Sequence, residues 1–144
     1  MPQRSIRMIV ADQELFTLPG KSTVCEAARL MKKHNIGAVM IVDARRLIGI
    51  FTERDAVFRV LATKHDPRTT KLTEVMTHNP KTIHPDKVLG HALLMMYEGG
   101  FRHVPVVEDG RPLGMISARD ALGPELQAFQ SALDDREHLR EILG

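Results

Sequence analysis

Several features that mark particular classes of protein are missing from this sequence. Its 144 residues include one cysteine, Cys25, so no internal disulfide can form and a reducing compartment, the cytoplasm, is expected. No apolar run approaches the roughly 20 residues of a membrane span. Residues 1–15 have no long apolar stretch after the early arginines, so no signal peptide is predicted. The formal net charge of +2 is too small to indicate a nucleic-acid or membrane partner.

Catalytic and metal-binding patterns are also absent. The sequence has no paired carboxylates, nucleophile elbow or glycine-rich phosphate loop, so we expect no enzyme activity. Its histidines lack close ligand spacing, and no metal site is predicted. Cys25 lies early on a predicted amphipathic helix with no base marked beside it, which favours a small buried apolar residue over a reactive thiol.

What the sequence does contain is an internal repeat. Gly-Ile-Phe-Thr-Glu-Arg-Asp at 49–55 and Gly-Met-Ile-Ser-Ala-Arg-Asp at 114–120 share one pattern: glycine, two apolar residues, a hydroxyl, a free position, arginine and aspartate. The separation of 65 residues holds without a gap between 17–56 and 82–121. Two copies indicate a paired module rather than a solenoid.

Each copy alternates strands and helices, which predicts an α/β fold with helices covering a sheet. The first copy is assigned to 15–63 and begins with a short strand at 15–18. Thr23 and Glu26 have capping-box spacing and predict the start of a helix. A continuous apolar run at 38–42 predicts a strand that is covered on both faces.

The second copy is assigned to 73–123 and repeats this order. A strand is predicted at 81–83, and Pro85-Asp86 is interpreted as the cap of the helix that follows. The next strand, 104–107, contains Pro105, which has no N–H and therefore indicates an edge or end position in the sheet.

Three segments lie outside the copies. Residues 1–14 are interpreted as a lead-in that packs against the pair, and the polar, proline-containing stretch 64–72 as a linker. Residues 124–144 have a broken apolar stripe in a charged sequence that predicts a C-terminal helix, and a helix of that length needs a partner for its stripe. That partner is either its own domain or a second subunit.

The duplicated motif has two interpretations. Thr52 and Ser117 each stand three residues before an aspartate, which is a signature of helix N-termini and is common for structural reasons alone. A helix N-terminus also attracts phosphate, and a carboxylate beside it can accept hydrogen bonds from both hydroxyls of a ribose. Capping requires neither the repeated arginine nor the repeated glycine, so their recurrence favours a nucleotide-binding role.

Together with Val75-Met76-Thr-His-Asn-Pro80 and His103-Val-Pro-Val-Val107, the two Gly-x-x-[Thr/Ser]-x-x-Asp stretches resemble a tandem pair of CBS domains, the modules named after cystathionine beta-synthase. The resemblance covers residues 10–122. It implies two pseudo-symmetric repeats of β-α-β-β-α type that pack through their sheets, followed here by the C-terminal helix.

The resemblance also implies adenosine ligands, namely AMP, ADP, ATP, NAD(H) or S-adenosylmethionine, in two clefts between the copies. In each cleft an aspartate would hold the ribose, and the strand starts and motif side chains would contact adenine, sugar and phosphate. The implied ligand-binding residues are Thr17, Gly37, Ala38, Thr52, Arg54, Asp55, Thr82, Arg102, His103, Val104, Pro105, Ser117, Arg119 and Asp120. Gly37-Ala38 is neutral where the second copy has Arg102-His103, so the two clefts should not be equivalent.

Two functions remain open from the sequence. The first is a regulatory module without chemistry of its own, whose ligand state is signalled to a partner enzyme or transporter; the resemblance implies that two such pairs form a homodimer. The second is a structural interaction module that keeps the fold, has lost the ligand and docks through its C-terminal helix. The repeated aspartate and arginine favour the first.

Overall fold

The computed structural model of the chain describes residues 4–143, with side-chain environments for residues 4–137. It is an α/β structure. The first half contains α1 (Ile6–Val10), β1 (Thr17–Leu18), α2 (Val24–His34), β2 (Ala38–Asp43), β3 (Arg46–Thr52), α3 (Glu53–Asp55) and a π-helical continuation (Ala56–Leu61). The second half contains α4 (Leu72–Val75), β4 (Thr77–His78), α5 (Leu89–Gly99), β5 (His103–Glu108), β6 (Arg111–Ser117), a 3₁₀ turn (Ala118–Asp120) and α6 (Gly123–Leu143).

The first sheet is built around β2. The strand order is β1-β2-β3-β4, with β1 parallel to β2 and the other pairs antiparallel. Ala38–Ile41 are all buried, which confirms the prediction of a strand covered on both faces. The helix α2 also begins where its capping spacing predicts, because Thr23 Oγ1 accepts a hydrogen bond from the Glu26 N–H at 3.3 Å.

The two hydrophobic cores are completed by crossed segments. Ile6 and Val10 of α1, which precede the first repeat, are buried in the core of the second repeat. Leu72 and Val75 of α4, which precede the second repeat, are buried in the core of the first, as is Phe51. Each repeat therefore depends on a segment that the sequence places next to the other repeat, and the two halves form one unit.

The strand predicted at the start of the second repeat is reduced to a single bridge, from Ile83 to Val106. In the first repeat, the Met40 N–H donates to the Phe16 carbonyl at 3.2 Å and helps hold β1 against β2. Pro105 stands at the position equivalent to Met40 and has no N–H, so the matching hydrogen bond cannot form. The prediction of a strand was therefore wrong here.

The edge position predicted for Pro105 is confirmed, because β5 and β6 form a two-stranded sheet. The proline is fully buried in β5, which pairs with β6 on one side. On the other side, the Ile83 N–H donates to the Pro105 carbonyl at 3.0 Å. On that side only a single bridge forms, from Ile83 to Val106, as expected beside a residue that has no N–H to donate.

The helix α5 begins later than predicted, with Val88 rather than Pro85-Asp86 as its N-cap. Val88 is the repeat equivalent of Thr23 but has no side-chain oxygen to accept a hydrogen bond. The N-terminal segment takes part in this helix start instead, since the Leu89 N–H donates to the Arg4 carbonyl at 3.0 Å.

A glutamine side chain replaces a strand in the second sheet. In the first sheet, β4 pairs with β3 and aligns Thr77 with Ile50. In the second, Gln13 Nε2 donates to the Met115 carbonyl and Gln13 Oε1 accepts from the Met115 N–H, both at 3.0 Å. Because Met115 is the repeat equivalent of Ile50, the side-chain amide reproduces part of the pairing that β4 supplies.

The C-terminal helix packs on α5 of its own chain. The Phe129 ring meets the Tyr97 ring edge-on at a centroid distance of 6.4 Å, and Leu133 is buried. Tyr97 Oη donates to Glu137 Oε1 at 3.0 Å. Over residues 123–137, the helix therefore contacts its own second repeat. Among the described residues, no helix is both long and apolar enough to cross a membrane.

Candidate ligand-binding clefts

Two clefts lie at the junction of the repeats. The first has a volume of about 830 Å³. One wall is formed where β3 ends and α3 begins, by Thr52, Arg54 and Asp55. The opposite wall is the segment that enters β5, with Arg102 and His103. These five residues, all implicated by the sequence, are therefore brought to one cavity.

The second cleft is smaller, with a volume of about 250 Å³, and is built from the equivalent positions. Ser117, Arg119 and Asp120 line it from the second repeat. Gly37 and Ala38, where the chain enters β2, line it from the first. In both clefts, the motif of one repeat faces the strand start of the other, so a ligand in either cleft would contact both repeats.

The Asp55 carboxylate is held in a fixed position. Its Oδ2 accepts from the Thr52 N–H at 2.9 Å, and the Asp55 N–H donates to Thr52 Oγ1 at 3.2 Å. Its Oδ1 lies 3.5 Å from Arg59 Nε, and the side chain is only 12% exposed. Each carboxylate oxygen has two acceptor positions, so this arrangement both caps α3 and leaves capacity for further hydrogen bonds.

The Asp120 carboxylate has a similar cap but different surroundings. Its Oδ2 accepts from the Ser117 N–H at 2.7 Å and lies 3.4 Å from Ser117 Oγ. At the position equivalent to Arg59 stands Pro124, which brings no charge. The arginine that reaches this region is Arg4, whose Nη2 donates to the Asp120 backbone carbonyl at 2.6 Å.

The ring of His103 lies between the clefts and lines both. Gly37 is packed against it, because a Cβ at that position would come within 3.5 Å of His103 Cε1 and 3.1 Å of Glu53 Oε1. Burial lowers the pKa of His103 below its usual 6.5; Glu53 and Asp120 oppose this shift and the neighbouring arginines add to it. The imidazole is therefore neutral at pH 7.

Four of the residues implied by the resemblance lie outside the lining of both clefts. Val104 and Pro105 are fully buried in the core of β5. Thr17 and Thr82 are exposed, and the residues before them, Phe16 and Lys81, line the clefts instead. Ligand contacts for these four remain predictions that the geometry does not favour.

The cleft residues that sequence reasoning missed have identifiable signals. Phe16 and Lys81 each directly precede one of the predicted threonines, and neighbouring side chains of an extended segment point to opposite sides, so an error of one residue selects the wrong side. Phe58 lies beyond the repeated motif, and its equivalent is Gly123, so recurrence does not identify it. Its ring lies under the Arg54 guanidinium, 5.1 Å from centroid to Cζ, and it lines the first cleft.

A separate cluster of possible metal ligands lies outside the clefts. His84, Asp86 and Glu108 offer ligand atoms within 4.8 Å of one another, an arrangement that spacing along the chain could not indicate. Arg7 Nη2 already donates to Asp86 and to Glu108 at 3.0 Å each. The guanidinium thus supplies the positive charge that these carboxylates attract.

The structure defines a class of protein: a tandem pair of α/β repeats that carry a duplicated capping motif and form two clefts at their junction. The sequence profile of the CBS domain matches residues 6–62 and 72–123. The chain belongs to the CBS domain family, which confirms the resemblance. CBS pairs are in general regulatory rather than catalytic, and some bind adenosine ligands.

Similar proteins share this unit in different settings. CBS domain-containing protein CBSCBSPB5 of Arabidopsis thaliana is 35% identical over 120 residues, 83% of this chain and 22% of that protein. This chain therefore spans less than a quarter of that relative's length. The structure of the CBS-domain containing protein ATU1752 from Agrobacterium tumefaciens is 32% identical with a TM-score of 0.73, over 81% of this chain and 95% of that one.

A third similar structure contains ligands. The CBS domain pair of protein MJ0100 was solved in complex with 5′-methylthioadenosine and S-adenosyl-L-methionine. It is 30% identical to this chain with a TM-score of 0.74, and the match covers 83% of this chain and 93% of that one.

Proposed function

We propose that this chain is a non-catalytic regulatory module that binds adenosine nucleotides, AMP, ADP, ATP or NAD(H), in its two clefts and signals its ligand state to a partner protein. The observation that carries the proposal is the crossed construction of the clefts. Asp55 faces the strand start of the second repeat, and Asp120 faces that of the first. The adenosine ligands of the MJ0100 pair support the same ligand class.

The ribose would be held by the two aspartates. In each, one carboxylate oxygen is already fixed by the backbone N–H of the capping residue. A carboxylate positioned in this way can accept from vicinal ribose hydroxyls without first losing side-chain freedom. Arg54 and Arg119 stand one residue earlier in each motif and line the same clefts, where they would provide charge-assisted hydrogen bonds to phosphate.

The signal would be a change in the angle between repeats. A ligand shifts a conformational equilibrium only through a difference in affinity for the two states. The two walls of each cleft belong to different repeats. A ligand that contacts both walls would therefore favour one orientation of the two repeats relative to each other. A partner enzyme or transporter in contact with both repeats would respond to that orientation.

A homodimer is also part of this proposal. The helix after Asp55 exposes Val57, Phe58 and Leu61, at 48%, 57% and 70%. At the positions equivalent to Val57 and Leu61, the second repeat exposes Leu122 and Leu126, at 57% and 44%. Large apolar side chains exposed together mark interaction surfaces, and their recurrence in both repeats fits a second CBS pair. Sedimentation of the protein with Phe58→Ser and Leu61→Ser tests this part, since both changes should yield monomer.

Thermal unfolding tests ligand binding directly. Purified protein free of nucleotide is heated with AMP, ADP, ATP, NAD, NADH or S-adenosylmethionine at increasing concentrations. A ligand that binds only the native state raises the midpoint, and contributes about 2.7 kcal/mol at one hundred times its Kd. We expect a rise with at least one of these ligands.

The matched variant combines Asp55→Asn with Asp120→Asn. Asparagine retains a side-chain oxygen that can cap the helix, but loses the charge and part of the acceptor capacity. We expect adenosine-ligand affinity to fall about tenfold or more, measured by calorimetric titration. Asp43→Asn, at the exposed end of β2, is the control. Unchanged affinity in the double variant would show that the ribose role is wrong.

The alternative is an interaction module without ligand that docks through α6. The observation in its favour is that α6 does not close against α5, since a groove of about 680 Å³ remains between them. If no adenosine ligand raises the unfolding midpoint, and a chain ending at residue 122 loses a partner that the full chain binds, this alternative is correct.

A further inference from the structure

We infer that the two clefts take adenosine ligands of different charge: the first takes one with a 5′-phosphate chain, and the second takes one whose 5′ group carries no phosphate. The inference rests on the proposed function and adds the ligand class of each cleft. It is carried by three equivalent positions at which the clefts differ in charge, and by their difference in volume.

The charge difference arises at residues that contact the clefts directly. Arg102 in the first cleft is equivalent to Gly37 in the second, and Lys81 is equivalent to Phe16. A third pair differs in the same direction, because Glu14 in the second cleft replaces Asn79 in the first. Glu53 offsets part of this difference, since it lines the first cleft and its equivalent is Ala118. With histidine neutral, the formal charge of the lining is +1 in the first cleft and −1 in the second.

The surroundings of the two aspartates increase this difference. Arg59 lies 3.5 Å from the Asp55 carboxylate and offsets its charge. Pro124 stands at the equivalent position beside Asp120. Arg4 approaches Asp120 but is paired with the Glu125 carboxylate at 2.7 Å. A phosphate group would therefore meet an unfavourable potential in the second cleft, and a favourable one in the first.

The difference in volume between the two clefts agrees with the difference in charge. The second cleft has less than a third of the volume of the first. Its walls are largely apolar, as are those of the first cleft, so the clefts differ in charge and volume and not in their apolar share. An uncharged 5′ group, such as a thioether, can be buried there without an electrostatic penalty. A phosphate chain would lose its water and meet one cation, Arg119, together with the carboxylates of Glu14 and Asp120. The first cleft offers both space and three cations.

The test is a pair of calorimetric titrations with ADP and with 5′-methylthioadenosine as the probes. Asp55→Asn and Asp120→Asn each weaken one cleft while the retained side-chain oxygen keeps the cap. We expect Asp55→Asn to weaken ADP about tenfold or more and to leave 5′-methylthioadenosine unchanged. Asp120→Asn should have the opposite effect. We also expect each ligand to bind to protein already saturated with the other.

Two further variants change charge without touching either aspartate. Glu14→Asn gives this exposed position of the second cleft the residue type of Asn79, its equivalent in the first. ADP should then bind in the second cleft on the order of tenfold more tightly. Arg102→Gly introduces the residue type found in the second cleft, and should reduce the preference for ADP over adenosine by a similar factor. Both effects should diminish with added salt.

The outcomes separate the inference from the proposed function. If neither probe binds, the proposed function is wrong. If both bind but compete for one cleft, are weakened by the same aspartate variant, or keep their preferences in Glu14→Asn and Arg102→Gly, adenosine binding stands and the division by charge is overturned. Independent binding with opposite sensitivity to the two aspartates supports the division.

Discussion

The chain that follows Asp55 and the chain that follows Asp120 leave the same motif in different ways. After Asp55 the helix continues through π-helical turns to Leu61. Asp120 is the last residue of a single 3₁₀ turn. Ala121 follows with an extended ψ of 134°, and α6 begins at Gly123. The first motif therefore continues into a helix, whereas the second is followed by a short break in the helical backbone before α6 begins.

One pair of equivalent residues explains much of this difference. Arg59 faces the Asp55 carboxylate and donates to two carbonyls at the end of α4. Pro124 has no N–H to bond the Asp120 carbonyl, and Arg4 donates to that carbonyl instead. The first motif is thus linked through Arg59 to the end of α4. The second is linked through Arg4 to the N-terminal segment and to Glu125 of α6. The two copies of one motif therefore contact different parts of the chain.

The largest expected effect concerns the crossed cores. Ile6→Ala removes a fully buried side chain of α1 and should destabilise the protein by about 2–4 kcal/mol. Native-state hydrogen exchange should show lost protection first in the second repeat, in β5, although Ile6 precedes the first repeat. Met8→Ala, on the same helix but 70% exposed, is the matched control and should change little. Lost protection confined to the first repeat would contradict the crossed packing.

A smaller effect is expected where the second motif contacts α6. Arg4→Met removes hydrogen bonds to the Asp120 carbonyl and to both Glu125 oxygens, and should cost about 1 kcal/mol because the pair is partly exposed. The hydrogen bond from Arg4 lowers the pKa of Glu125 below its usual 4.5. This contribution is therefore complete above pH 4.5 and is lost as the pH falls through the lowered pKa.

Urea unfolding of wild type and Arg4→Met at several pH values measures both parts of this prediction. Met preserves much of the apolar stem of arginine, so packing changes are limited. The difference between the two proteins should disappear in acid. A difference that stays constant down to low pH would mean that the Arg4–Glu125 pair does not contribute.

The hairpin turns provide a still smaller comparison. Ala44 and Arg45 have φ values of 48° and 67°, at the positions where the second repeat has Asp109 and Gly110, with φ of 53° and 80°. Glycine adopts this conformation without the steric cost that other residues incur. Arg45→Gly should therefore stabilise the protein by about 0.5–1 kcal/mol.

Thermal or urea unfolding detects this gain, and Gly110→Ala is the opposite change in the equivalent turn. That variant should destabilise the protein, because Gly110 has a φ of 80°, a conformation in which a side chain is strained. If Arg45→Gly lowers stability, the left-handed turn is not a source of strain.

A final prediction concerns His103 and appears only in mild acid. Because burial lowers its pKa in the folded state, the unfolded chain binds more protons below the usual value of 6.5, so stability falls as the pH drops below that point. In His103→Gln this part of the pH dependence should be absent. His91→Gln, with an exposed side chain, is the control. Parallel pH profiles for wild type and His103→Gln would contradict the assignment.

Local pattern was sufficient for much of the fold. The fixed separation of the repeats, the apolar run of β2 and the cap at Thr23 predicted elements that the structure confirms. The errors occurred where the second copy lacks a group that the first copy uses. Pro105 lacks the N–H that holds β1, and Val88 lacks the oxygen that caps α2. Both substitutions can be seen in the sequence, but their effect can be predicted only when it is known which group each N–H or oxygen bonds in the first repeat.

The sequence by itself determined that two copies of one α/β unit exist, because hydrophobic period, caps and turn residues are set by neighbours along the chain. It also identified the aspartates and arginines of the clefts through their recurrence. Only the tertiary structure decided that α1 completes the second repeat, that Asp55 and His103 line one cleft and that the clefts differ in charge. These features depend on contacts between residues far apart in the chain, and packing of the whole molecule selects among them.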